Sequence, residues 1–163
     1  MNLNENLKNW LAGLIDSDGG IYVSKKGHLS CEITVHEKEV QTLYNVKEII
    51  GGSVTKRANT KAFRWRLHNI TGMEQLCNLM NGKLRTEIKK NQIQKACNLL
   101  NINYKEPEVL TFNNSWLSRF FTGDGHLSIN KNNFQCNIGI SQKEEQILQE
   151  IKSIYKGNVF YDP

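Results

Sequence analysis

Long apolar segments and paired cysteines are missing from this sequence. No apolar run approaches the about 18–20 residues of a membrane-spanning helix, and the first ten residues lack the basic and apolar regions of a secretory signal. We therefore expect a soluble protein. The four cysteines form no C-x-x-C pair and predict buried structural thiols rather than zinc ligands or disulfides: Cys31, Cys77, Cys97 and Cys136.

Proline is also scarce, with two residues in 163, whereas Asn, Lys and Ile are plentiful. A+T-rich coding produces this bias, which organelle genomes often show, so the composition favours a mitochondrial origin. Lys and Arg number 21 against 16 Asp and Glu, a net charge of +5 that mildly favours a polyanionic partner. The length allows one ordinary domain or two small ones.

The chain repeats itself, which predicts two copies of one structural module. The first copy opens with WLAGLIDSDGGIYV and the second with WLSRFFTGDGHLSI. Three pairs of segments match: 10–23 with 116–129, 30–39 with 135–144, and 51–54 with 156–159. We therefore predict a first module over 1–101, a linker over 102–113 and the N-terminal part of a second module over 114–163.

Each copy reads as a helix, a hairpin, a second helix and a second hairpin, and the first copy adds two further helices. Alternation of apolar and polar residues around Lys26-Gly27 predicts the first hairpin. Thr71, with Glu74 three residues later, predicts an N-cap. Helices are predicted over 7–16, 37–50, 71–81 and 87–101, and the second hairpin over 53–58 and 62–70.

The alternation also assigns the two faces of the predicted sheet. Apolar residues share the face that helices can cover: Ile21, Val23, Cys31, Ile33, Val35, Val54, Trp65 and Leu67. The other face mixes cations with short polar side chains, as expected of a sheet that contacts phosphates and base edges. An ordinary solvated sheet face remains the alternative for each residue. The candidate nucleic-acid contacts are Tyr22, Ser24, Lys26, Ser30, Glu32, Thr34, Arg57, Arg64, Arg66 and His68 in the first copy, and Ser128, Asn130, Gln135 and Asn137 in the second.

The segment LAGLIDSDG at 11–19 differs at one place from the LAGLIDADG signature. With its second copy LSRFFTGDG and the basic segment NGKLRTEIKKNQ, the chain resembles the two-motif LAGLIDADG homing endonucleases and their maturase relatives. The resemblance implies an α+β fold of αββαββα modules in a pseudo-twofold repeat. The motif helices would pack at the axis, and the antiparallel sheets would form a saddle on DNA.

The resemblance also implies a metal centre between the modules. Asp18 and Asp124 end the two motifs, and small residues such as Gly13 would let the helices approach. One acid from each module would hold two or more Mg²⁺ ions with phosphate oxygens. Ser17 and Gly123, which precede these acids, are further candidate metal-site residues. The alternative is that Asp18 is an ordinary helix-end residue.

Other site residues are implied only by position in the family pattern. Glu37 and Gln142 would orient water or exchange protons. Lys89, with Lys90 as runner-up, would offset charge on the phosphate. Two positions depart from the pattern of the first motif: Thr122 replaces the acid found at Asp16, and Arg119 stands where Gly13 stands.

Two functions fit these residues. The first is a Mg²⁺-dependent endonuclease that cuts both strands of an asymmetric double-stranded DNA target. The second is a maturase-like protein that binds group I intron RNA without cleavage; a decayed copy without a target is a third interpretation. The second copy has no counterpart of 59–101, so we expect a split or cleaved protein, completed by a second polypeptide, rather than a stable truncated monomer.

Overall fold

The computed structural model describes residues 3–161, and in this range it confirms the α+β fold with one module and part of a second. The first module contains α1 (Glu5–Asp18), β1 (Gly19–Val23), β2 (Leu29–His36), a short 3-10 turn (Glu37–Glu39), α2 (Val40–Ile50), β3 (Ser53–Lys56), β4 (Ala62–Leu67), α3 (Ile70–Met80) and α4 (Glu87–Leu99). Its four strands form an antiparallel sheet in the order β1-β2-β4-β3.

The second module contains fewer elements within the described residues: α5 (Trp116–Asp124), β5 (Gly125–Ile129), β6 (Cys136–Ile140) and α6 (Glu145–Tyr155). Its sheet has two antiparallel strands. The stretch 156–161, which aligns with β3, forms no strand, and residues 162–163 lie outside the described range.

Helix boundaries follow local capping and differ in places from the sequence expectation. α3 begins at Ile70 because Asn69 adopts an extended conformation and its Oδ1 accepts from the Gly72 amide at 2.7 Å. The prediction of Thr71 as N-cap is therefore wrong. α1 runs two residues beyond the expected end, to Asp18, and 37–39 form the 3-10 turn rather than the start of α2.

The hydrophobic core is built on the inner face of the first sheet. Strand β2 alternates between buried and partly exposed residues, and Ile33 and Trp65 are completely buried. Trp116 and Phe120 of α5 and Ile147 of α6 join this core. Both modules therefore share one hydrophobic core, and the linker contributes Leu110 to it.

The second sheet differs because none of the described elements covers its apolar face. Ile138 is 73% exposed and Leu127 is 72% exposed. Three of the four cysteines are buried as expected, but Cys136, on β6, is exposed. Among residues 3–161, no helix is long and apolar enough to cross a membrane.

Helix α6 and the residue before it fasten the second module to the start of α4. Glu144 accepts from the backbone amides of Glu87 at 2.6 Å and Ile88 at 3.2 Å. Glu150 accepts from the Arg85 guanidinium at 2.7 Å. The N-terminus of α4, a first-module helix, is thus capped by a second-module side chain.

Candidate functional site

The two motif helices, α1 and α5, pack directly against each other at a small residue. A Cβ atom on Gly13 would overlap the carbonyl oxygen of Trp116, so a larger residue would force the helices apart. The Trp116 and Phe120 rings stack with 4.3 Å between their centroids and are buried. This packing brings the C-terminal ends of the two helices together.

The Asp16 carboxylate joins three parts of the fold. It is 4% exposed and accepts from Trp116 Nε1 at 2.7 Å. It also accepts from the Arg85 amide at 2.9 Å, the Thr86 amide at 3.2 Å and the Thr86 hydroxyl at 2.8 Å. Burial raises the pKa of Asp16 to about 6, although these four hydrogen bonds favour the ionised form. Asp16 therefore links α1, α5 and the start of α4.

The motif acids lie at the same end of the helix pair, Asp18 at the end of α1 and Asp124 at the end of α5. A Cβ atom on Gly123 would lie 2.9 Å from Asp18 Oδ2, which shows how closely α5 approaches Asp18. Burial raises the pKa of both carboxyl groups, and the charge of Asp18 raises that of Asp124 further. A cation between them would relieve both effects.

Asp124 is held by a residue that the sequence singled out. Gln142 Nε2 donates a hydrogen bond to Asp124 Oδ2. Lys89 lies near enough for its charge to lower the pKa of Asp124, although burial outweighs this effect. Helix α4 is tied to β1 where Gln92 Oε1 accepts from the Ile21 amide at 3.0 Å, and this contact fixes the helix that carries Lys89. The structure thus brings Gln142 into contact with the second motif acid, whereas Lys89 lies outside ion-pair distance and acts on it only through space.

The runner-up lysine has other partners. Lys90 forms ion pairs with Glu87 at 2.9 Å and Glu106 at 3.6 Å, away from the motif acids. These carboxylates raise the pKa of Lys90. Lys89 is therefore the better placed of the two.

Asp18 has a different set of neighbours. Its Oδ2 accepts from the Ser17 hydroxyl at 3.0 Å and from Arg119 Nη2 at 3.3 Å. Arg119 Nη2 also donates to Glu39 Oε2 at 3.1 Å. Glu37 lies at the start of the 3-10 turn, and within the described part of the chain its side chain forms no hydrogen bond. Glu39 rather than Glu37 is thus linked to the first motif acid.

Cations and polar groups share the outer face of the first sheet, as the alternation predicts. The strand register places Glu32 opposite Arg66, Thr34 opposite Arg64, and Tyr22 opposite Ser30. Arg66 Nε lies 3.0 Å and Arg64 Nη1 lies 3.4 Å from the two oxygens of Glu32. The remaining candidates are exposed in turns or at strand ends: Ser24, Lys26, Arg57 and His68.

The second sheet presents shorter side chains. Ser128 pairs with Asn137 across β5 and β6. Asn130 and Gln135 flank the hairpin turn, where the Asn130 amide donates to the Gln135 carbonyl at 2.9 Å. All four predicted contacts are exposed in the second sheet, which contains no arginine.

Comparison with known proteins decides the family. The family described as LAGLIDADG endonuclease matches residues 11–100 of this chain. The chain belongs to this LAGLIDADG family. Its similarity to the intron-encoded RNA maturase bI4 of Saccharomyces cerevisiae is 39% identity over 158 residues, covering 94% of this chain and 25% of the relative.

A second relative carries an endonuclease name. The probable intron-encoded endonuclease aI2 of Debaryomyces hansenii is 35% identical over 170 residues, which covers 94% of this chain and 26% of the relative. The chain thus spans about a quarter of the length of these two LAGLIDADG relatives. The solved I-LtrWI homing endonuclease bound to its target DNA shares the fold, with a TM-score of 0.68 at 14% identity over 92% of this chain and 72% of that chain.

The carboxylates present fit a divalent ion that is shared with phosphate. Within residues 3–161, no three His, Cys, Asp or Glu side chains gather into a metal-binding group. Mg²⁺ binds through one or two carboxylates together with waters and substrate phosphates, and Asp18 and Asp124 can supply these carboxylates. Among the other predicted metal residues, Ser17 has its hydroxyl within hydrogen-bond distance of both Asp18 Oδ2 and the Gly13 carbonyl, and Gly123 offers only backbone atoms.

Two members of this LAGLIDADG site were missed by the sequence analysis of catalytic residues. Arg119 was noted as a departure from the motif, and its occupation of the Gly13 position was the available signal. The repeat could not identify Glu39 as a site residue, since its equivalent in the second copy, Glu144, caps α4. Equivalent positions in the two copies therefore perform different tasks.

Proposed function

We propose that this chain forms part of a site-specific, Mg²⁺-dependent endonuclease that cleaves both strands of an asymmetric DNA target. The observation that carries the proposal is the position of Asp18 and Asp124 at the same end of the packed motif helices. The family membership and the endonuclease name of one relative support it. Mg²⁺ bound to such acids and to phosphate activates water and stabilises the leaving oxygen.

The chain's own residues would divide the work around the phosphate. Asp18 and Asp124 provide the acidic ligands, and Gln142 holds the Asp124 carboxylate in one orientation. Lys89 supplies positive charge beside Asp124, where the phosphate gains negative charge. Glu37 remains a candidate for orienting water on the Asp18 side.

The sheet faces would bind the DNA unequally, which is the basis for proposing an asymmetric target. The first sheet offers Arg64 and Arg66, and their ion pairs with Glu32 restrict their orientation before DNA arrives. The second sheet offers short polar groups at Ser128 and Asn137. Unlike faces contact unlike half-sites, through guanidinium groups on one and hydroxyl or amide groups on the other.

The exposed apolar face of β5 and β6 supports a further part of the proposal. In the first module, the equivalent face is covered by helices and flanked by a second hairpin. We propose that segments equivalent to 59–101 cover Leu127 and Ile138. A mitochondrial location is proposed from the composition and from the intron-encoded relatives.

The deciding experiment is cleavage of the uninterrupted intron insertion site by the complete assembly with Mg²⁺. We expect Asp18→Asn and Asp124→Asn each to reduce cleavage at least about a hundredfold, an order of magnitude typical of lost electrostatic catalysis. Glu48→Gln, at an exposed position on α2, is the control and should cut normally. Full cleavage by both aspartate variants would reject the proposal.

A maturase activity is the second candidate, favoured by the similarity to the yeast RNA maturase. The same basic sheet face would bind folded intron RNA, and both partners would show strong salt dependence. Splicing assistance needs no metal-bound acid from the protein. A splicing assay of Asp18→Asn should therefore show full assistance if this activity is the selected one, and a parallel loss of splicing and cleavage would contradict it.

A further inference from the structure

Arg119 is a buried cation beside the first motif acid. The residue is 3% exposed and lies in the helix crossing, at the position that the repeat gives to Gly13. Nη2 contacts Asp18 Oδ2 at 3.3 Å and Glu39 Oε2 at 3.1 Å. Within the described part of the chain, its Nε and Nη1 atoms are buried without an acceptor. Burial of a guanidinium in this way is costly unless carboxylates offset it.

The two motif acids therefore differ in charge environment. Asp18 Oδ2 faces a guanidinium, whereas Asp124 Oδ2 faces the neutral amide of Gln142. Lys89 acts on Asp124 through space, but no ion pair within 4.0 Å joins them in the described range. Within residues 3–161, only Asp18 of these two acids therefore has a cation in direct contact with its carboxylate.

We propose that Arg119 weakens divalent-cation binding at Asp18, so that Asp124 binds the first ion and the two acids load in a fixed order. The inference rests on the proposed function. A guanidinium hydrogen-bonded to Oδ2 occupies a lone pair and repels an approaching ion, because both are positive. At Asp124 the Gln142 amide also occupies a lone pair, but it is neutral and does not repel the ion.

Glu39 limits the effect of Arg119. Arg119 Nη2 contacts the carboxylates of both Glu39 and Asp18, so the Glu39 carboxylate offsets part of the positive charge that acts on Asp18. Glu39 is also more exposed than Arg119, and solvent screens part of its own charge. Loss of Glu39 should strengthen the hold of Arg119 on Asp18, whereas loss of the Arg119 charge should free Asp18.

The test is a titration of the full chain with Mn²⁺ in the absence of nucleic acid, with free Mn²⁺ measured by electron paramagnetic resonance. Asp124→Asn should reduce the affinity about tenfold or more, which corresponds to about 1.4 kcal/mol. Asp18→Asn should change it less than about threefold, because Arg119 already opposes an ion there. Equal losses in the two variants would overturn the inference and leave the proposed function standing.

Variants of the arginine sharpen the test. Arg119→Gln should increase the affinity of the chain for Mn²⁺. The increase should disappear when Arg119→Gln is combined with Asp18→Asn. Glu39→Gln should not increase the affinity. Arg119→Lys retains the charge and should resemble the native chain. If Arg119→Gln unfolds in a thermal scan, the two aspartate variants still decide. Native Mn²⁺ binding that neither aspartate variant reduces would instead reject the metal site on which the proposed function depends.

Discussion

The two sheets of this molecule have related sequences but different burial. Ile33 of β2 and Ile138 of β6 occupy equivalent positions in the repeat, yet Ile33 is completely buried and Ile138 is 73% exposed. Helices cover the inner face of the first sheet, and a second hairpin extends that sheet to four strands. The described part of the second module has a two-stranded sheet, and none of its described helices covers the apolar face. An alternating strand pattern therefore determines which face is apolar, whereas its burial depends on elements elsewhere.

The largest expected difference is in amide hydrogen exchange of the two hairpins. Strand β2 should exchange about a thousandfold more slowly than β6, because each 1.4 kcal/mol of opening free energy is about tenfold and β6 belongs to an uncovered sheet. Helices α5 and α6 should be protected with the first module, since Trp116 and Ile147 lie in its core. Mass spectrometry of exchange in the 163-residue chain measures this. Equal protection of both hairpins would contradict the comparison.

Truncation of the equivalent isoleucines should separate the sheets next. Ile33→Ala should lower the free energy of unfolding by about 2–5 kcal/mol, because it leaves a cavity under β2. Ile138→Ala should change it by less than about 0.5 kcal/mol, as expected of an exposed side chain. Denaturant unfolding monitors both variants. Similar losses would show that the second sheet is covered in solution.

Asp16, the sixth residue of the first motif, gives a pH test of the difference between the two copies. The folded pKa of Asp16, about 6, lies above the ordinary value of 3.8, so its protonated form stabilises the fold below pH 3.8 and this contribution disappears as pH rises through 6. The free energy of unfolding should fall by about 3 kcal/mol across this window. Asp16→Asn should flatten that slope in denaturant titrations.

The control for this test is Thr122, the repeat equivalent of Asp16. Its hydroxyl donates to the Ser118 carbonyl at 3.0 Å and lies on an exposed part of α5. Thr122→Ala should leave the pH slope unchanged. An unchanged slope in Asp16→Asn would show that the pKa of Asp16 is not raised by folding.

The smallest expected effect is on the outer faces. Glu32→Gln removes a carboxylate beside Arg64 and Arg66, so non-specific DNA affinity should rise, with a change of about one in the salt-dependence slope. The free energy of unfolding should change by less than about 1 kcal/mol, because these pairs are partly exposed. Asn137→Ala, at the equivalent position in β6, removes no charge and should leave the salt-dependence slope unchanged. Fluorescence anisotropy at several salt concentrations measures the binding.

Much of the fold and part of the site could be predicted from residues alone. The repeated motif predicted two helices that bring Asp18 and Asp124 to their C-terminal ends, although α1 runs two residues beyond its expected end. Alternation predicted the buried face of the first sheet apart from Val23, which is 36% exposed. These predictions succeed because helix and strand periods are local properties. Gln142 was implied by its position in the family pattern, and its side chain donates to Asp124.

The remaining features depend on contacts between distant segments. The arginine at 119 breaks the small-residue pattern, but the sequence does not specify that it would lie between Asp18 and Glu39. The choice of Asn69 over Thr71 as N-cap depends on where β4 ends. Exposure of Ile138 depends on which elements lie over the sheet, a property that no strand pattern contains.

The contact between Glu144 and the start of α4 has a consequence for synthesis on the ribosome. The acceptor is 57 residues beyond the Glu87 amide that it caps, and Glu150 lies 65 residues beyond Arg85. When α4 emerges from the exit tunnel, its first amides and the Arg85 guanidinium do not yet have these carboxylates to contact. The first module therefore completes its hydrogen bonding only after the second module has been translated as far as Glu150, and a nascent chain paused in the linker carries an unfinished helix.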